Sequence, residues 1–109
     1  MTTFDDRERA FETKYAHDEE LRFRVVARRN RLLGMWGARL MGLSDAEADA
    51  YAKDVIRADF EEAGDEDVIR KLLGDLTAAG VDTDETRIRE AVGHKEAEAR
   101  RQIMDQLNL

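Results

Sequence analysis

Apolar residues recur along this chain at intervals of three, four and seven, and no segment alternates at an interval of two. The first spacing is that of one face of an α-helix, and the second would be that of a strand. The longest helical pattern runs from about residue 5 to residue 41. Its apolar positions fall into two sets. Phe4, Phe11 and Tyr15 stand at i, i+7 and i+11, one narrow stripe at 100° per residue. After the polar stretch Ala16-His17-Asp18-Glu19-Glu20, a broader face follows with Leu21, Val25, Leu32, Trp36 and Leu40, flanked by Val26 and Leu33. On a straight helix the two stripes lie about 50° apart. Thr3 is the expected N-cap, with Asp5 and Asp6 in the first turn beside the positive end of the helix dipole.

Start and stop signals divide the remainder into three further helices. Gly42 is expected to end the first helix in a left-handed cap, and Ser44-Asp45-Ala46-Glu47 spells a capping box for the second. That helix carries Tyr51, Val55, Ile56 and Phe60 and is expected to stop at Gly64. Asp65 caps the third, in which Val68, Ile69, Leu72, Leu73 and Leu76 repeat at helical spacing until Gly80. Thr83 caps the fourth, with Ile88, Val92, Ala99, Ile103 and Leu107. The connections are only a few residues long, as in a compact bundle. The expected core is Leu32, Leu33, Trp36, Leu40, Val55, Ile56, Leu72, Leu73, Leu76, Val92 and Ile103. Gly34 and Gly37 each cost a helix about 1 kcal/mol relative to Ala, which points to close helix approach beside Trp36, with a flexible joint as the alternative. The fold class is all-α, a four-helix bundle-like domain with a long first helix.

Composition sharpens this reading. At 109 residues there is room for one hydrophobic core. The chain has no proline, the strongest helix breaker. Its 39% charged residues require helices with one solvated face. Residues 1–20 hold three aromatics and ten charges, too little apolar surface to offset an ordering cost of about 1–2 kcal/mol per residue. A mobile N-terminal segment, residues 1–19, is therefore expected ahead of a four-helix domain, residues 20–109. With no cysteine, there is no disulfide or thiolate chemistry. The opening MTTFDDRERAFE lacks the apolar stretch of a signal peptide, and no run of about 18 apolar residues could span a bilayer. A cytoplasmic protein without direct membrane insertion is expected.

The net charge of −7 is unevenly spread. Residues 1–20 carry seven acids and three bases, giving −4; residues 21–41 carry six arginines and no acid, giving +6; the rest carry eighteen acids and nine bases, giving −9. An acidic whole argues against nucleic-acid binding, which is driven by phosphate neutralisation. Arg24, Arg28 and Arg31, at i, i+4 and i+7 and extended by Arg39, form a stripe roughly opposite the core face. They are expected either to pair with the acidic later helices or to grip an acidic partner or the phosphates of ATP or ADP in weak binding. The chain shows no catalytic or cofactor motif: no nucleotide-binding glycine loop, no cysteine nucleophile, no pair of histidines at ligand spacing. His17 and His94 sit among charged residues and read as solvated. Acidic runs such as Glu61-Glu62 and Asp65-Glu66-Asp67 lack the alternation and glycine of a calcium loop and read as helix ends. The N-terminal stripe, with Arg7, Glu8, Glu12 and Lys14 beside its aromatics, has the pattern of an amphipathic helix that docks in a groove. A non-enzymatic binding protein is the reading these residues support.

The stretch FDDRERAFETKYAHDEELRFRVVARRNRLLGMWGARLMG, residues 4–42, closely resembles the zeta-subunit family of ATP synthase inhibitors of alphaproteobacteria. Length, helix layout and acidic character extend the resemblance over essentially the whole chain. It implies a four-helix protein whose N-terminal segment, about residues 2–19, inhibits ATP hydrolysis. On that implication the segment folds into a helix as it enters a catalytic α/β subunit interface, and reaches the rotor γ subunit to block rotation in the hydrolytic direction. The expected contacts are Phe4, Asp5, Arg7, Glu8, Phe11, Glu12, Lys14 and Tyr15. The alternatives are a helical adaptor or a nucleotide-sensing protein that uses Arg24, Arg28 and Arg31.

Overall fold

The computed structural model describes residues 3–59 and 65–107, with side chains from residue 18 onward. Phe60, Glu61, Glu62 and Gly64, and the side chains of Phe4, Asp5, Arg7, Glu8, Phe11, Glu12, Lys14, Tyr15 and His17, lie outside the described residues. Four helices follow in order: α1 (Thr3–Leu40), α2 (Asp45–Ala58), α3 (Glu66–Ala78) and α4 (Glu85–Gln106). The helix α1 is continuous over 38 residues, about 57 Å at 1.5 Å per residue. It forms the spine against which α2 and α4 lie, and α3 closes the bundle against α2 and α4.

The turns follow from their residues. At the end of α1, Gly42 adopts φ 74°. Its N–H donates to the Arg39 carbonyl and the Leu43 N–H to that of Ala38, which satisfies two of the helix's last carbonyls. Gly80, at φ 81°, repeats this after α3, with the Val81 N–H donating to the Leu76 carbonyl. The capping box at α2 is formed: Ser44 Oγ accepts from the Glu47 N–H, and Glu47 Oε1 accepts from the Ser44 N–H.

Three N-caps differ from expectation. Thr3, expected just ahead of the first helix, is the first residue of α1. Asp84 rather than Thr83 caps α4, its carboxylate accepting from the Arg87 N–H at 2.8 Å. The stretch Asp82-Thr83-Asp84 offers three good caps in a row, so sequence alone leaves the boundary loose. Asp65 holds the N-cap position of α3 but makes no side-chain capping bond, because its carboxylate is engaged elsewhere.

The apolar interior has two parts. The larger gathers Leu33, Val55, Val68, Ile69, Leu72, Leu76, Ile88 and Val92, with Trp36, Tyr51 and Leu73 half-buried around it. The smaller joins Val25 of α1 to Ala99 and Ile103 of α4, with Leu21, Leu32 and Leu107 at its edge. Leu40, expected in the core, is 47% exposed. The helix ends there, and Met41 packs against the larger cluster instead. Gly34 marks the closest approach of α1 to α2. A Cβ built on it would lie 2.5 Å from the Ala52 Cα, nearer than any side chain can stand. At Gly37 a Cβ would meet Leu72 Cδ2 at 3.1 Å. Both glycines therefore serve helix contact.

Candidate functional site

Val25, Arg29 and Leu33 stand at i, i+4 and i+8 on α1, so Arg29 lies on the buried stripe between the two apolar clusters. It is 1% exposed. Its Nη1 is 2.9 Å from Asp65 Oδ1 and 3.3 Å from Glu96 Oε1, and its Nη2 is 3.9 Å from Asp59 Oδ1. Asn30, equally buried, accepts from Arg29 Nε and Nη2 at 3.1 and 3.0 Å. One guanidinium thus ties the end of α2, the start of α3 and the middle of α4 to the spine. Burying a charge is tolerable only with such partners. The sequence reading missed Arg29. The available signal was the gap between Val25 and Leu32 in the apolar face, filled by the Arg29-Asn30 pair.

The three arginines singled out from sequence are brought together. With Phe23, Ala27, Ile56, Ile103 and Gln106 they line a groove of about 370 Å³ between α1, α2 and α4. Their stripe is not opposite the core, as expected, but at its edge. Arg28 is half-buried, and its guanidinium donates to Gln102 Oε1 at 2.9 Å and Gln106 Oε1 at 3.5 Å. The expected pairing with later acids holds for Arg31, which meets Asp49 of α2 at 3.2 Å. Arg24 pairs within its own helix, with Glu20 at 2.7 Å. Phe23 on the groove wall is 62% exposed.

The electrostatics elsewhere serve the frame. A hydrogen bond from Lys53, then one from Arg31, holds the Asp49 carboxyl below its ordinary range. The Ser44 backbone N–H does the same for Glu47, and Arg89 for Glu66. Burial, then the bond from its hydroxyl to Asp75 at 2.7 Å, pushes the Tyr51 phenol up, and Lys71 stands 5.1 Å from its ring centre. Asp67 is buried at the foot of α3. Its Oδ1 accepts from Arg70 at 3.2 Å, while its Oδ2 has no hydrogen-bond partner. It lines a second hollow with Asp54, Arg57, Ala58, Arg70 and Lys71. His94 is exposed. Among the described residues no group of three or more His, Asp or Glu is placed to hold a metal ion, and no helix is long and apolar enough to cross a membrane.

Comparison with known proteins places this geometry in a family. A solution NMR structure is 46% identical, with a TM-score of 0.70, over 79% of this chain and 98% of that one. No curated protein matches the chain. The family model of ATPase inhibitor subunit zeta matches residues 1–102, from the N-terminal aromatic stripe through most of α4. The chain belongs to the ATPase inhibitor subunit zeta family.

Proposed function

We propose that this protein inhibits ATP hydrolysis by the catalytic head of an F-type ATP synthase. Its N-terminal segment, residues 1–19, inserts as a helix at a catalytic α/β interface and reaches the rotor γ subunit. The observation that carries this reading is the extent of the family match, which takes in both that segment and the bundle. The chain's own physics supports it. Leu21, Val25, Leu32, Leu33 and Trp36 of α1 pack into the two apolar clusters, so the second half of the spine anchors the bundle. The first half bears Phe4, Phe11 and Tyr15 on one stripe, the spacing of anchors for a partner's groove. A wedge needs no catalytic group. It needs a segment whose ordering on binding lowers affinity by about 2–5 kcal/mol, which keeps inhibition reversible. The protein acts in the cytoplasm, where it meets the synthase.

Alanine at Phe11 and at Tyr15 tests the anchors. Loss of a buried aromatic anchor costs about 2 kcal/mol or more, so each substitution raises the half-inhibitory concentration about thirtyfold. The thermal melt of the bundle stays unchanged. Unaltered inhibition by the double variant would reject these contacts.

A further inference from the structure

The groove between α1, α2 and α4 joins an apolar floor to a basic rim. Phe23, Ile56 and Ile103 supply the floor, and Arg24, Arg28 and Arg31 stand in a row along α1. From the first of these arginines to the last is about 10 Å at 1.5 Å per residue. A row of that length outreaches a single phosphate. It matches carboxylates one and two turns apart on a helix, whose apolar residues would meet the floor. The present partners of the rim are easily exchanged. Arg24–Glu20 and Arg31–Asp49 are about half-exposed pairs, a class worth little in water. Arg28 is held by two glutamine amides, and no carboxylate stands within ion-pair distance of it among the described residues.

We propose that this groove docks an acidic amphipathic helix of the ATPase, at the rim of the cleft that the N-terminal segment enters; this consequence rests on the inhibitory role proposed above. Charge selects the occupant. Residues 21–41 carry +6 in a chain whose net charge is −7, so the groove attracts carboxylates that the rest of the surface repels. Position selects the place. Helix α1 is continuous from Thr3 to Leu40, so Arg24 stands only about 7–8 Å along the axis beyond residue 19, the end of the inserted segment. Direction adds the last constraint. At 100° per residue, Arg24, Arg28 and Arg31 lie about 120–180° round α1 from the stripe of Phe4, Phe11 and Tyr15. A helix wedged between two subunits meets a wall on each side. One wall takes the aromatics, and the other reaches the arginine groove. Arrest of hydrolysis belongs to the inserted segment, and the groove adds affinity by tethering the chain at a second point.

ATP hydrolysis by the purified catalytic head, titrated with the full chain at low and at high salt, tests this. The parental chain is read first: if it does not inhibit, the inhibitor assignment fails and this consequence fails with it. Where it inhibits, Arg24→Glu/Arg28→Glu raises the half-inhibitory concentration at least about tenfold at low salt, chiefly through slower association. The gap narrows as salt screens the contact. Phe23→Ala truncates a side chain that is 62% exposed, so the bundle's melt is retained, yet inhibition weakens about fivefold. Arg39→Glu/Arg101→Glu makes the same change of net charge at residues that do not line the groove, and stays within about threefold of the parental chain. Groove variants that inhibit as well as the parental chain, with the same salt dependence, would overturn the proposal and leave the inhibitor assignment standing. Equal losses in Arg39→Glu/Arg101→Glu and Arg24→Glu/Arg28→Glu would overturn it too, since net charge rather than the groove would then set the affinity.

Discussion

Arg29 is the residue on which the bundle's geometry turns. It is almost fully buried between two apolar clusters and touches acids from three other regions of the chain. Arg29→Met keeps the side chain's length but strands Asp59, Asp65 and Glu96. Breaking a fully buried pair costs about 3–5 kcal/mol; these acids are 20–47% exposed, so about 2–3 kcal/mol is expected, read by urea denaturation. The surface acids give a second residue-level test. Glu47, Asp49 and Glu66 titrate below their ordinary values of 4.5, 3.8 and 4.5 because the folded chain donates hydrogen bonds to their charged forms. The unfolded chain thus binds protons first. Their contribution is present above those values and is lost as pH falls through the lowered ones. The melting temperature should stay level from neutral pH to about pH 5 and fall below pH 4.5, less steeply in high salt. A melt insensitive to acid would contradict this. Little of this level was legible in sequence. A buried arginine is chosen by partners distant along the chain, whereas propensity and spacing report only on near neighbours.

Elements were far more legible, because their ends carry local chemistry. Ser44 with Glu47, Gly42 and Gly80 act as their residue types dictate. Asp84 displaced Thr83 by one position among three equivalent caps. Asp65 lost its capping bond to a long-range ion pair, and Leu40 lost its burial to the turn that follows it. Helix contact is a separate matter, tested by two alanines. Gly34→Ala gains helix propensity of about 1 kcal/mol but forces α1 away from the Ala52 backbone, at about 1–3 kcal/mol or more for overpacking. It should destabilise. Gly93→Ala meets nothing within 4 Å and should stabilise by about 0.5–1 kcal/mol. Equal effects of the two would show that backbone propensity, not helix approach, sets the cost.

At the scale of the molecule, the proposed function gives one helix two jobs. The chain measures 64 × 25 × 21 Å, and its long dimension is set by α1. The arginine band was visible in sequence as a band. That it borders an apolar groove with α2 and α4 was not, since Ile56 and Ile103 lie far away along the chain. The N-terminal stripe is an expectation from sequence, since the side chains of Phe4, Phe11 and Tyr15 lie outside the described residues.

ATP hydrolysis by the purified catalytic head, titrated with the full chain and with a chain lacking residues 1–19, measures this division of labour most directly. The full chain should inhibit, and the truncated one should keep the bundle's helical signal and cooperative melt yet leave hydrolysis untouched. A truncated, folded bundle that still arrests hydrolysis would place the inhibitory element in α2–α4 or the second half of α1, and the account would be wrong.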